Sequence, residues 1–254
     1  MTSMVNTETA SPEIVQLLAP SGVLRAGINL SNFLLVSSRT QNGEPAGVSP
    51  DMARAFAEKL GVALRYVSYA SPGLLADAAA RDEWDIALIG AEPQRAEVIA
   101  FTPAYAEIEA TYLVPPGSAL EAIAEVDQPG RRIAVTDRTA YGLWLDRNIK
   151  HAELVRAKTF EEAVSVFLEQ KLDALAGLRP RLFDDAAAIP GSRMLPGRYM
   201  AVQQAMGTPR RNEAALQEMT RFVAAEILSG RVADLIARHS VSGLTVAHSA
   251  FEPS

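Results

Sequence analysis

The chain reads as an α/β protein of two lobes, and three observations carry that reading. Strands and helices alternate as β-α-β-α-β over residues 23–90, the pattern of a sheet covered by helices. A second α/β series starts after the break "PPG" at 115–117. The last helices then follow with no sheet of their own, so they are expected to return and cover the first sheet. The second series is therefore inserted in the first, with lobe one at 14–113 plus 206–254 and lobe two at 114–205. Two crossing segments join the lobes across a cleft, where small ligands commonly bind.

Each element has a local reason. Residues 1–13 are polar and expected to be unstructured. "EIVQLLAPSG" is a short helix stopped by Pro20 and Gly22. "VLRAGIN" is a strand that ends in a polar "NLSN" turn. In "SPDMARAFAEKLG", Ser49 is the expected cap and Pro50 the first helical residue. Met52, Phe56 and Leu60 share one face, and Gly61 ends the helix. "VALRYVSY" is the next strand, Ser71-Pro72 starts another helix, and "WDIALIG" is a buried strand.

"ATYLVPPGS" is a β run broken by its prolines. The inserted series reads "RRIAVTD" strand, "TAYGLWLDRNI" helix, "AELVRA" strand, then "TFEEAVSVFLEQKL" helix. In that helix Thr159 and Glu162 form a capping box, and Val164, Phe167, Leu168 and Leu172 make an apolar stripe. "LDALAGLR" is a strand, "PRLFDDAAAI" a helix and "YMAVQQAMG" the returning strand. A helix over 213–228 buries Leu216, Met219, Val223 and Ile227, and "VADLIARH" continues after Gly230.

Bulk properties remove several function classes. The 254 residues carry a net charge of −6 with 24 Lys and Arg scattered among 30 acids, so nothing suggests nucleic acid. Cysteine is absent, which excludes disulfides and thiol chemistry and is compatible with an oxidising compartment. His151, His239 and His248 lie far apart, so no metal site and no cofactor is expected. No run approaches the roughly 18 apolar residues of a membrane span. The first residues lack a basic start and a long apolar stretch, so either a secretory signal was removed or the protein stays inside.

The block "WDIALIGAEPQRAEVIAFTPAY" places Arg95 just past a buried strand, where the carboxyl ends of open α/β sheets meet ligands. A guanidinium offers a planar fork that suits a carboxylate. The alternative is a surface arginine paired with Glu92 or Glu97. Gly90 lets a ligand approach the backbone closely. Asn29 and Asn32 can hydrogen-bond a polar ligand or simply form a turn. Thr139 either caps a helix or binds an anion at its start. Tyr141, Phe33 and Trp144 are candidate walls, with Trp144 placed in the core. Gln203 and Gln204 are candidates to line the return crossing. The Asp184-Asp185 and Glu161-Glu162 pairs read as solvated faces and caps.

Four segments, "LRAGIN", "GEPAGVSPDMARAFAEKLGV", the Arg95 block and "PGRRIAVTDRTAYGLWL", resemble the bacterial solute-binding proteins of polar amino acid ABC transporters. The resemblance runs from about residue 23 to 240. It implies the two-lobed periplasmic-binding-protein-like fold, periplasmic location, a carboxylate-bearing ligand, a membrane permease as partner and a monomer. By the same resemblance Arg95 and Thr139 hold the ligand's carboxylate. Asn29, Asn32, Gly90, Glu92 and Tyr141 are placed around it.

Two departures stand out. Arg138 occupies a slot that is usually glycine. The slot that usually holds an acid for the ligand's ammonium falls on Leu178, with Arg179 next. Either Glu109 or another acid substitutes, or the ligand is not an ordinary α-amino acid. Arg95 and Arg179 facing one another would suit a dicarboxylate. Some proteins of this fold are dehydratases, and Glu92 or Glu109 would be the acid or base of such an enzyme.

Overall fold

The computed structural model describes residues 10–247. Residues 1–9 and His248 lie outside that range. In chain order the elements are α1 (Pro12–Leu18), β1 (Val23–Asn29), the short β2 (Ser38–Arg39) and β3 (Pro45–Ala46), α2 (Val48–Leu60), β4 (Ala63–Tyr69), α3 (Pro72–Asp77), β5 (Ile86–Gly90), α4 (Pro93–Ala96) and β6 (Ile99–Val114). Then come β7 (Arg132–Thr136), α5 (Ala140–Asn148), β8 (Glu153–Ala157), α6 (Phe160–Glu169), β9 (Ala174–Leu178), α7 (Arg179–Ala188), β10 (Arg193–Met194), β11 (Met200–Pro209), α8 (Leu216–Leu228), α9 (Arg231–Arg238) and β12 (Leu244–Val246).

The molecule is an α/β protein of two lobes. One lobe carries the parallel strands β4, β1 and β5, the other the parallel strands β9, β7 and β8. Between them run β6 and β11, antiparallel to each other, so hydrogen bonding is continuous in the order β4-β1-β5-β11-β6-β9-β7-β8. The helices α8 and α9 return to the first lobe as expected. Met219 and Val223 are fully buried, and Phe222 packs against Phe56 of α2 with ring centroids 5.0 Å apart.

β6 is longer than the sequence suggests, because it begins at Ile99 and passes through Pro103. A proline lacks the N–H that a ladder needs and sits in sheets only at edges or bulges. Here the register with β11 shifts between Ala205 and Gly207, opposite this proline. The Thr102 hydroxyl accepts from the Met206 N–H at 3.2 Å and fills the break.

α2 starts earlier than its expected cap. Gly47 occupies the N-cap with φ 148, and a β-carbon there would overlap the Leu35 carbonyl. Ser49 is instead inside the helix, buried, with its hydroxyl 3.4 Å from that of Tyr105. In α6, Thr159 caps as expected by accepting from Glu162 N–H at 3.1 Å, but the Glu162 carboxylate accepts from Lys158 N–H at 2.6 Å rather than from the cap. Of the expected stripe, Phe167 and Leu172 are buried, while Leu168 is 46% exposed and Ala163 is buried in addition.

Candidate ligand site

A cavity with about 550 Å³ of empty space, its mouth included, lies between the lobes where β5, α4 and the turn after β1 face α5, α6 and α7. Arg95 reaches it from α4, a single turn started by Pro93 and capped by Glu92, whose carboxylate accepts from Gln94 N–H at 3.1 Å. Arg95 is only 4% exposed. One terminal nitrogen donates to the Gly90 carbonyl at 2.7 Å, and the other crosses to the Arg138 carbonyl at 2.9 Å. Neither Glu92 nor Glu97 pairs with it. Burial pushes its pKa down to about 10, partly offset by the Glu92 charge and reinforced by that of Arg138. Arg95 is thus a buried cation in contact with carbonyls and, among the described residues, with no carboxylate.

The second lobe supplies the opposite wall. Thr139 caps α5, accepting from Gly142 N–H at 3.1 Å and donating to the Thr136 carbonyl at 2.9 Å. Arg138, just before it, has φ 55, a left-handed conformation that suits the glycine usual at this slot. Its guanidinium grips both carboxylate oxygens of Asp77 in the first lobe at 2.9 and 2.5 Å and donates to the Gly73 carbonyl at 3.2 Å. The lobes therefore touch on one flank of the cavity.

Of the residues singled out in the sequence, Asn29, Asn32, Gly90, Arg95, Thr139 and Tyr141 line this cavity, as does Phe33. Glu92, Glu109 and Arg179 do not. Glu92 caps α4 and pairs with Arg147 of the second lobe. The Arg179 Nε donates to Glu109 at 2.7 Å, a second nitrogen donates to the Gly197 carbonyl, and Arg198 approaches the same carboxylate at 3.4 Å. With that pair turned onto β6, the expectation of Arg95 and Arg179 facing one another is corrected, and Glu109 is not the substitute acid.

The second-lobe cation that reaches the cavity is Arg181. It lies over the Phe160 ring at 5.7 Å and pairs with Asp185 at 3.2 Å and Glu161 at 3.3 Å, so these acids are more than solvated faces. Two residues along a helix point to nearly opposite sides. "RPR" thus signals that one of its arginines faces inward without saying which. Ser31, Phe160 and Gln204 also line the cavity, while Gln203 does not. Gln204 carried a signal, its place on the return crossing; Ser31 carried none. Trp144 is partly buried and stacks on Tyr199 at 5.4 Å, in the core as expected. Leu178 lies on the cavity wall, and among the described residues no Asp or Glu does.

The sequence model of the bacterial extracellular solute-binding proteins, family 3, matches residues 24–241. The chain belongs to this family. Solved structures share its fold. The solute receptor for L-cysteine of Neisseria gonorrhoeae superposes with a TM-score of 0.73 at 18% identity, covering 92% of this chain and 99% of that one. A mutant of ArgBP from T. maritima gives 0.70 at 19% identity, over 89% and 99%. An ancestral amino acid-binding protein, described as a precursor of cyclohexadienyl dehydratase, gives 0.70 at 18% identity, over 88% and 97%. No curated protein matches the chain.

Proposed function

We propose that this family 3 protein captures a small carboxylate-bearing solute, an amino acid or related organic acid, between its lobes and presents it to a membrane permease of the ABC type. The observation that carries this reading is Arg95, a buried guanidinium with no carboxylate against it. A buried charge is tolerated when paired, and a solute carboxylate is the missing partner. Asn29, Asn32 and Gly90 border that position from the first lobe, Thr139 and Tyr141 from the second. Amide groups at the start of α5 favour the same anion.

A solute touching both walls stabilises the closed form through contacts that the open form lacks. In this reading the lobes comprise 14–113 with 206–254 and 114–205, and the protein works as a periplasmic monomer. A dehydratase would need a proton donor beside the bound acid, and the candidates Glu92 and Glu109 lie away from the cavity.

Calorimetric titration tests the assignment. Arg95→Ala should lower affinity for whichever acid binds by at least about a hundredfold, or about 2.7 kcal/mol. Circular dichroism should show the fold retained. Unchanged affinity in a folded variant removes the site. Mass spectrometry of the released solute separates carrier from enzyme, since a carrier returns it unaltered.

A further inference from the structure

We infer that the preferred solute is an organic acid without an ammonium group, a 2-oxo or 2-hydroxy acid rather than an amino acid. The inference rests on the carboxylate-capture reading above and narrows it.

The argument is the hydrogen-bonding sense of the cavity wall. Asn29 Oδ1 accepts from the Ser31 N–H at 3.2 Å and the Ser31 hydroxyl at 2.8 Å. Asn32 Oδ1 accepts from the Leu34 N–H at 3.3 Å. A backbone N–H can only donate, so these bonds fix both amides and leave their Nδ2 groups, which are donors, for a solute. The Thr139 hydroxyl already donates once and accepts once within its own turn. Arg95 uses one N–H on each of two carbonyls and keeps the rest of its donors. Arg181, with Nε and one terminal nitrogen on Asp185 and Glu161, adds only further donors.

The Ser31, Thr139 and Tyr141 hydroxyls on the wall can accept as well as donate, and among the described residues of the wall the one buried acceptor without a partner is Gln204 Oε1. It is buried, it belongs to a side chain 2% exposed on the cavity wall, and it has no partner. An α-ammonium brings three donors and a positive charge. Here it would meet two guanidinium groups, the apolar Leu178 and only neutral oxygens. The carboxylates behind the wall are already engaged, Asp185 and Glu161 by Arg181 and Glu92 by Arg147. A 2-oxo oxygen instead accepts from the asparagine amides. A 2-hydroxyl accepts there and can give its one proton to Gln204. Charge and donor count therefore favour the same class.

Matched pairs decide the matter on the intact chain: pyruvate, L-lactate and L-alanine; 2-oxoglutarate and L-glutamate; phenylpyruvate and L-phenylalanine. Calorimetry should show at least one oxo or hydroxy acid binding about a hundredfold or more tighter than its amino partner. If an amino acid binds as tightly as its partner or tighter, this inference falls and the carboxylate-capture reading stands. If no acid of either kind binds, both fall. Leu178→Asp places a carboxylate on the wall. It should move the amino-to-oxo affinity ratio by at least about tenfold toward the amino acid, and an unmoved ratio in the folded variant also overturns the inference. Should that variant not fold, the matched pairs on the native chain still give the answer.

Discussion

At the scale of single residues the cavity works by close approach. Gly90 ends β5 with its carbonyl on Arg95, and a β-carbon there would lie 2.8 Å from Val202 Cγ1 and 3.1 Å from Ala140 Cβ. Ala140 belongs to the other lobe, so even one methyl group resists the closed arrangement. Gly90→Ala should therefore weaken solute binding by at least about tenfold, with overpacking costing on the order of 1–3 kcal/mol of stability. Calorimetry and denaturant melts on one preparation check both halves. Arg95 in "GAEPQRAEVIAFTPAY" was legible through the surrounding pattern, since by itself an arginine after a buried strand could equally pair with Glu92 or Glu97 at the surface. The choice between Arg179 and Arg181 was not legible, since it depends on which side of α7 faces inward. Nor was the fate of Glu109, which depends on a partner 70 positions away.

Among the elements, the helices were read best because their signals are local. Ser71 and Thr159 cap where expected, accepting from Leu74 and Glu162 N–H groups. α2 shows what local signals miss. Ser49 is a good cap by type, yet the loop at Leu35 crowds position 47 so closely that only glycine fits, and the helix is capped there. The face itself was correct: Met52 and Phe56 are fully buried, and Phe56 meets Phe222 across the α2–α8 contact. Phe56→Ala should cost about 3–5 kcal/mol in chemical denaturation. A loss well below that would mean that α8 does not pack on α2 in solution. β6 was under-read because Pro103 looks like a strand breaker. The bulge that excuses it is on β6 itself, where Thr102 and Pro103 face the single Met206 of β11, and that partner strand is far off in sequence.

For the whole molecule, polar links join the two lobes on one flank: Arg138 with Asp77, Glu92 with Arg147, and Arg95 with the Arg138 carbonyl. The Arg138 guanidinium holds the Asp77 carboxyl below its ordinary range, with partial burial opposing the shift. A carboxylate with a lowered pKa contributes above its unperturbed value, near about 4, and the contribution is lost as pH falls through the lowered value. This clasp should therefore be indifferent to pH between about 5 and 8 and sensitive to salt, because both partners are about half exposed. Asp77→Asn should reduce solute affinity by about two- to fivefold and enlarge the ligand-free radius of gyration in X-ray scattering. No change in either measurement would show that the clasp leaves the balance between open and closed forms alone.

The paired β6 and β11 carry one further consequence. They are hydrogen-bonded over most of their length and shift register near Gln204–Gly207, so no slack loop separates the two halves there. Swinging apart must then wind or unwind this ribbon, which β12 widens to three strands at 106–108, as a torsion bar does, with its rungs intact. Amide protons along 106–110 should exchange equally slowly with and without solute, and the recoil of that bar adds a restoring force that a floppy tether would lack.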